Sequence, residues 1–177
     1  MPTFQLAFKA EPAALGEASI REEIIGDLAA EALFGESSPL YLKLYEQGII
    51  DSSFGGGFET IDGCAMLMAS GDSDDPDAVW EAIAAQAERL AQTGVSEEEF
   101  QRMKRSTLGR RIRGLDSFDS TCFRLCAYHM WDFDYFRFPE VFVDITREEL
   151  TAFLKEVVRR ENSAMSVIKP LVQEVTK

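Results

Sequence analysis

The sequence contains a single histidine, His129, among its 177 residues. A protein zinc site needs about three converging ligands, and a serine or cysteine nucleophile needs a base that is usually an imidazole. Cys122 and Cys126 precede His129 at one-turn spacing, but three ligands on consecutive turns of one helix spread over roughly 10 Å. We therefore predict a plain buried helix face here, with no metal site and no catalytic residue on this chain.

Cysteine and basic residues are also few. The three cysteines, Cys64, Cys122 and Cys126, form an odd set that suits a reducing compartment better than a disulfide framework. We interpret all of them as small buried hydrophobic residues. Eighteen basic residues against 31 acidic ones give a net charge of −13, which disfavours nucleic acid and anionic membranes as partners.

Long apolar runs are absent as well. No run approaches the roughly 18 residues of a membrane span, and the first residues lack a basic segment followed by an apolar one. A hydrophobic content of 46% is enough for a sizeable core at this length. These features predict a soluble, cytoplasmic protein that folds as one domain over residues 1–177.

Hydrophobic periodicity predicts elements in the order β-α-α-β-β-α-α-α-α-β. Alternating apolar residues indicate strands, and apolar residues three and four positions apart indicate helices. This order is typical of an α/β (α+β) two-layer sandwich, in which helices back a mixed, mainly antiparallel sheet. The predicted strands cover residues 3–9, 52–60, 64–70 and 163–168, and the predicted helices cover 18–34, 39–45, 76–92, a stretch from 96 onwards, 117–131 and 146–160.

Short motifs predict the helix ends. Ser19 with Glu22 has the capping-box pattern at the start of the first helix, and Gly35 is placed to end that helix in a left-handed conformation. Ser38 before Pro39 predicts the start of the second helix. Further capping boxes are predicted at Ser96 with Glu99 and at Thr146 with Glu149.

The second predicted strand contains three consecutive glycines, Gly55 to Gly57. Glycines at mid-strand weaken pairing but permit a bulge or a close backbone approach. No Lys-Ser/Thr pair follows them, so we interpret the run as a strand irregularity and not as a phosphate loop. The pair Asp62-Gly63 then predicts a tight turn that joins the second and third strands as a hairpin.

The basic residues concentrate in the fourth predicted helix of this acidic chain. Charge runs of this kind are usually a solvated face paired with acidic neighbours, and we favour that interpretation over a docking surface for an acidic partner domain. The cluster comprises Arg102, Lys104, Arg105, Arg110, Arg111 and Arg113.

Two stretches carry a resemblance to a known family. SSPLYLKLYEQGIIDSSF, residues 37–54, and GVSEEEFQRMKR, residues 94–105, resemble segments of the non-catalytic halves of the insulinase-like (pitrilysin) zinc metallopeptidases. The order of strands and helices extends the likeness from Phe4 to Ile168. The resemblance implies one of two similar halves that close around an unfolded peptide, with zinc and its His-x-x-Glu-His motif in the other half.

The resemblance also implies where this chain departs from active members. Their second half carries an arginine and a tyrosine after the second helix, which hold the substrate carbonyl. Laid on that pattern, the sequence has Tyr45 in place of the arginine and Asp51 in place of the tyrosine. A carboxylate beside a developing oxyanion would repel it, so both roles are lost.

These features lead to three hypotheses. The first is a non-catalytic peptidase half that forms one wall of a peptide chamber, without a cofactor of its own. Its partners would be a zinc-bearing half or homologous subunit and the peptide, with homo-oligomers as a further possibility. The second is a pseudo-peptidase scaffold or peptide-binding module without proteolysis. The third is an unrelated small enzyme that uses Cys122 or Cys126, which requires a depressed thiol pKa.

Overall fold

The computed structural model describes residues 1–61 and 63–170 as a four-stranded sheet with helices packed on one face. The predicted two-layer α+β architecture is confirmed, and the described sheet is antiparallel throughout. The strands are β1 (Thr3–Ala10), β2 (Gly55–Ile61), β3 (Cys64–Asp72) and β4 (Ser163–Ile168). The helices are α1 (Glu17–Phe34), α2 (Pro39–Glu46), α3 (Pro76–Thr93), α4 (Glu97–Gly114), α5 (Phe118–Met130), α6 (Phe138–Asp144) and α7 (Arg147–Val157).

The strand order in the sheet is β2-β3-β1-β4. The first and last strands of the chain pair with Thr3 opposite Ile168, and β2 and β3 form the predicted hairpin. Gly63 in the turn has φ +77°, whereas Asp62 lies outside the described residues. This order leaves β2 and β4 as the two edges of the described sheet.

The core lies between the sheet and α1. Phe4, Leu6 and Phe8 alternate along β1 toward the helices and are buried in one cluster with Ile24 and Leu28. Burial of each such side chain contributes about 1.5–3 kcal/mol. The period-2 pattern of the sequence therefore identified the covered face of β1 correctly.

Ser38 closes the turn between α1 and α2. Its hydroxyl donates to the Leu33 carbonyl at 3.0 Å and accepts from the Tyr41 N–H at 3.1 Å. One side chain thus ends α1 and caps α2, with Pro39 in the first turn as predicted. Gly35 has φ −60°, so the predicted left-handed end of α1 is wrong. A glycine in the left-handed conformation usually lets the following backbone N–H groups bond the last helix carbonyls. Here the Ser38 hydroxyl bonds one of those carbonyls instead.

Replacing Ser38 with alanine should lower the free energy of unfolding by about 2 kcal/mol, the upper end for a helix cap. The Ser38 side chain is only 4% exposed. Without its hydroxyl, both hydrogen-bond partners are left unsatisfied where water cannot replace it. Ser96→Ala is the matched control, since Ser96 caps α4 at the exposed surface and should cost about 1 kcal/mol. Urea denaturation measures both, and equal losses would contradict the double role of Ser38.

The predicted capping box at Ser19 and Glu22 is wrong because α1 begins earlier, after Gly16 at φ +97°. Ser19 therefore lies in the first turn, where its hydroxyl donates to the Gly16 carbonyl at 2.8 Å. The Glu22 carboxylate instead accepts the N–H of Ala13 at 3.0 Å. The capping boxes at the starts of α4 and α7 are confirmed.

Strand β2 begins three residues later than predicted because Asp51 bends the chain in front of it. Its carboxylate accepts the Ser53 N–H at 2.8 Å, and its carbonyl accepts the Phe54 N–H at 3.2 Å. An aspartate that bonds the backbone two residues on favours a turn. The glycines therefore open β2 at Gly55, and the mid-strand position predicted for them is wrong.

The segment 132–139 is rich in aromatic residues. It contains a 3-10 turn and the start of α6, a helix of seven residues with Pro139 in its first turn, which is too short for its periodicity to be recognised. Helix α7 ends at Val157, three residues before the predicted end, and a second 3-10 turn, Arg160–Asn162, leads into β4.

The prediction that all three cysteines are buried is wrong. Cys64 and Cys126 are exposed, and Cys122 is partly exposed. Cys64 begins β3 on the face opposite the helices, so its neighbour Ala65 takes the buried position. The predicted buried helix face at residues 122–129 is also wrong, because α5 buries only Tyr128 and leaves His129 exposed.

Candidate functional site

The two residues singled out by the resemblance lie in the segment that leads from α2 to β2. Tyr45 is about half exposed, and its ring stacks on Tyr41 with centroids 5.7 Å apart. Hydrogen bonds from Ser53 lower the pKa of the Asp51 carboxyl, which keeps it ionised at neutral pH. No hydrogen bond joins Tyr45 to Asp51 within residues 1–61.

A groove of about 730 Å³ opens beside the first residues of β2. The end of α1 contributes Glu31 and Phe34 to it, α4 contributes Arg102 and Arg110, and the sheet contributes Gly55 to Gly57. The two residues singled out by the resemblance do not line it. The groove is therefore a separate candidate site, which becomes visible only when α1, α4 and β2 are brought together.

The three glycines of β2 have different surroundings. A Cβ at Gly56 would lie closer than 3.0 Å to the Met68 carbonyl oxygen and the Phe34 ring, whereas a Cβ at Gly55 or Gly57 would meet nothing within 4 Å. Gly56 is thus required by packing. Gly55 and Gly57 alternate with Gly56 along the strand, so their missing side chains face away from the Phe34 ring.

Arginines outnumber carboxylates in the groove. Arg110 pairs with Glu31 at 2.8 Å, and Arg111 pairs with Asp27 at 2.9 Å. Arg102 and Arg124 form no ion pair with any described residue, and neither does the lining carboxylate Glu36. The charged lining residues are Arg102, Arg110, Arg111, Arg124, Asp27, Glu31 and Glu36.

The basic cluster of α4 divides into two parts. Arg110 and Arg111 pair with acidic residues of α1, in agreement with a face paired with acidic neighbours. Arg102 instead donates to the Ser37 hydroxyl at 2.7 Å. Arg105 is exposed and has no ion-pair partner in the described part of the chain. The docking interpretation therefore stays open for the second part.

A buried polar network lies behind the groove. The Arg111 guanidinium donates to Glu23 at 3.0 Å, to Asp27 at 2.9 Å and to the Tyr128 hydroxyl at 2.7 Å. The Tyr128 hydroxyl donates in turn to Glu23 at 2.6 Å, and Phe138 lies under the guanidinium at 4.3 Å. The network ties α1, α4, α5 and α6 together.

The environment of the network fixes its protonation. Burial raises the pKa of Asp27, and the charge of Arg111 opposes this rise without cancelling it. Burial and the neighbouring Glu23 raise the pKa of the Tyr128 hydroxyl, which therefore stays a neutral donor. Sequence reasoning missed this network, although Glu23 and Asp27 lie one turn apart beside buried positions of α1.

Helix α5 presents an apolar side to solvent. Phe123, Cys126 and Met130 lie at three- and four-residue spacing on one side of the helix, and Phe123 and Met130 are 74% and 78% exposed. These three residues are called the α5 face below. Large apolar side chains left exposed together mark interaction surfaces.

Within the described ranges 1–61 and 63–170, no group of three or more His, Cys, Asp and Glu side chains is placed to hold a metal ion. Among the same residues, no helix has both the length and the apolar character needed to cross a membrane.

Comparison with solved structures defines the class of fold. The structure is similar to an M16-like peptidase from Alicyclobacillus acidocaldarius, with a TM-score of 0.86, 24% identity, and coverage of 94% of this chain and 40% of that chain. It is also similar to the inactive peptidase domain of a zinc protease from Bordetella parapertussis, with a TM-score of 0.80, 18% identity, and coverage of 100% and 96%. The fold is that of an M16-type half-domain.

Residues 2–107 match the family described as the peptidase M16 inactive domain, and the chain belongs to that family. The Bacillus subtilis (strain 168) relative YmfH, an uncharacterized zinc protease, is 26% identical over 159 residues, which cover 90% of this chain and 37% of YmfH. The chain thus spans well under half the length of YmfH and of the Alicyclobacillus protein. The resemblance to a non-catalytic peptidase half is confirmed.

Proposed function

We propose that this chain works as the non-catalytic half of a zinc peptidase and forms one wall of a peptide-binding chamber against a zinc-bearing half. The match of residues 2–107 to the inactive-domain family carries the proposal. The greater length of YmfH and of the Alicyclobacillus peptidase leaves room in those proteins for a second half. Zinc would belong to that other half, so this chain needs no cofactor.

The proposal gives this chain no part in transition-state stabilisation. Asp51 stands where the resemblance expects a tyrosine, and its ionised carboxylate would repel a developing oxyanion. Tyr45 stands where an arginine is expected and carries no charge to replace it. Both positions would contribute to the chamber wall and not to catalysis.

The α5 face is the surface that we assign to the zinc-bearing half. It contains no charged residue, which suits the centre of a protein interface. Phe123 and Met130 extend into solvent, where aromatic and methionine side chains are expected to anchor a partner. Covering them with the other half would remove apolar area from water and stabilise the assembly.

Arginine substitutions on the α5 face should weaken binding of the zinc-bearing half more than tenfold, because they place charges at the interface centre. The probe is a zinc-bearing half that carries the His-x-x-Glu-His motif, and Phe123→Arg is measured by sedimentation against wild type. Leu42→Arg on α2 is the matched control, since Leu42 is a half-exposed apolar residue on a different helix and its substitution should leave the affinity unchanged. Failure of wild type to bind, or equal binding by Phe123→Arg, would overturn this assignment.

The alternative is a scaffold that binds peptide without any proteolysis, and the carboxylate at Asp51 is the observation that favours it. The same reconstituted complex separates the two functions. Chelator-sensitive cleavage of a peptide supports the peptidase half, whereas a complex that binds peptide and never cleaves it supports the scaffold.

A cytoplasmic location also belongs to this proposal, supported by three cysteines that form no disulfide with one another.

A further inference from the structure

We propose that residues 112–127, the end of α4 with most of α5, form an arm that opens away from the rest of the chain as one unit. A hydrogen bond between Arg111 and Tyr128 at the base of the arm is the clasp that holds it closed. The arm carries Phe123 of the α5 face and Arg124 of the groove lining. The inference rests on the proposed function only for the partner that keeps the arm closed.

The arm is attached through little buried surface. None of residues 112–127, all within the described range 63–170, is buried, and Leu125 is only partly buried where it packs against the core. The residues on either side of the arm, Arg111 and Tyr128, are 6% and 2% exposed. Helices are held to a domain mainly by burial of an apolar face, which the arm lacks between two fixed ends. Four of its large apolar side chains are 48% to 80% exposed, namely Ile112, Leu115, Phe118 and Phe123.

Open space separates the arm from α1. A groove of about 520 Å³ is lined by Glu23 of α1 together with Gly114 and Ala127 of the arm. Helix α4 packs against α1, whereas α5 packs against the 3-10 turn Tyr135–Arg137. Protein interiors rarely leave voids of this size between packed elements. The arm can therefore move without breaking a close-packed interface along its length.

The clasp is a pair of polar contacts at the base of the arm. The Arg111 guanidinium donates to the Tyr128 hydroxyl at 2.7 Å, and this hydroxyl donates to Glu23 at 2.6 Å. These bonds join the last buried residue before the arm to the first buried residue after it, and both to α1. Hydrogen bonds to charged groups are the strong ones in proteins. The Tyr128 ring also packs on Tyr135 with centroids 5.0 Å apart, a contact that a phenylalanine would keep.

Opening of the arm would change the groove beside β2. Arg124 is the residue that α5 contributes to that groove, whereas the other described lining residues lie outside the arm. A partner that covers Phe123 on the α5 face favours the closed arm and so keeps Arg124 in the groove lining. A ligand that binds one of two conformations shifts the population toward it. Docking on the α5 face and the shape of the groove are therefore coupled.

Hydrogen exchange of the chain alone measures the opening. The α5 amides within the arm should be protected by the clasp, but their protection factors should lie at least about tenfold below those of α1. Equal protection of the arm and α1 would overturn the proposal, because the arm would then open only when the whole chain unfolds. Complete lack of protection in the arm would also overturn it, because no clasp would then hold the helix.

Two variants separate opening of the arm from unfolding of the whole chain. Ile83→Val changes a residue of α3 that is 0% exposed. It should lower the protection of the slowest α1 amides about fivefold and leave the arm unchanged, because the contacts of Ile83 persist while the arm is open. Tyr128→Phe should lower protection of the arm about tenfold or more, because only the closed arm has the clasp. An equal effect of Ile83→Val on the arm, or no effect of Tyr128→Phe, contradicts the proposal.

A zinc-bearing half with the His-x-x-Glu-His motif tests what closes the arm. Once sedimentation shows the two halves bound, protection of the arm should rise at least about tenfold, since the bound partner favours the closed state. Unchanged exchange of the arm in the bound complex would rule out the coupling. Failure of the half to bind contradicts the proposed function, whereas the arm itself is decided by the measurements on the chain alone.

Discussion

Replacing Arg111 with leucine should lower the free energy of unfolding by about 3 kcal/mol, the lower end for breaking a buried ion pair. The guanidinium is 6% exposed and holds Glu23, Asp27 and the Tyr128 hydroxyl. Its loss leaves two carboxylates without a counter-charge between α1 and α5. The Asp27 side chain is one third exposed, so water relieves part of the cost. Urea denaturation at pH 7 measures the loss.

Arg110→Leu is the matched control. Arg110 neighbours Arg111 on α4 and pairs with Glu31 at 2.8 Å, but half of its side chain is exposed. Glu31 is only 14% exposed, but Arg110 reaches solvent, so this variant should lose about 1 kcal/mol, the upper end for a surface pair, and clearly less than Arg111→Leu. Equal losses in the two variants would show that removal of helix charge, and not the buried network, causes the effect.

The pH dependence of the Arg111→Leu variant should identify Asp27 as the destabilised group. The folded pKa of Asp27 is already raised by burial, and loss of Arg111 raises it further. A carboxyl whose folded pKa is raised favours folding below its unfolded pKa of about 4, and that contribution is lost as the pH rises through the folded pKa. The difference in the free energy of unfolding between this variant and wild type should therefore shrink as the pH falls from 7 toward 4.

A second substitution checks the same cause at neutral pH. In the double variant Arg111→Leu with Asp27→Asn, the group that lacks a counter-charge becomes neutral. The double variant should then be more stable than Arg111→Leu alone. If stability does not improve and the pH dependence matches wild type, the loss comes from packing around Phe138, on which the guanidinium lies at 4.3 Å.

The sequence predicts the elements well because their signals are local. Phe4, Leu6 and Phe8 alternate, and β1 buries all three; β4 has the predicted bounds, Ser163–Ile168. Helix ends were less predictable, because the same residue types can satisfy a terminal group in several ways. Gly35 is extended because Ser38 takes over its role, and nothing in the local sequence separates the two arrangements.

The candidate site could not be predicted, because the contacts that form it join distant parts of the chain. Arg111 reaches Asp27 across 84 positions, and Arg110 reaches Glu31 across 79. In the sequence these arginines belong to one uniform basic run. Only the packing of α4 against α1 shows that Arg111 is buried while Arg102 stays exposed beside β2.

The segment from α2 to β2 carries the family resemblance, and its two ends differ in what they indicate. Tyr45 and Asp51 stand at positions where the resemblance expects catalytic assistance, which their side chains do not supply. The glycines that follow open the edge strand and line the groove. The two positions that lack the expected catalytic side chains therefore lie shortly before the glycines that line the groove.

Replacing Gly56 with alanine should lower the free energy of unfolding by about 3 kcal/mol, the upper part of the range for an overpacked site. The added methyl group would meet the Met68 carbonyl oxygen of the paired strand as well as the Phe34 ring. A ring can rotate away, but the carbonyl is held in the β2–β3 pairing, so the hairpin itself must shift. Thermal and urea denaturation both measure the loss.

Two comparisons separate backbone contact from side-chain contact. Gly57→Ala adds the same methyl group one residue along β2 into open space, and should be neutral or stabilising by up to about 1 kcal/mol, since alanine restricts the unfolded chain. For Gly26→Ala on α1, the nearest atoms are all in the Phe58 side chain, so the loss should be clearly smaller in a Phe58→Ala background, which removes the ring. The loss from Gly56→Ala should change little in a Phe34→Ala background, because the Met68 carbonyl remains; disappearance of the loss there would show that the ring alone sets the requirement for glycine.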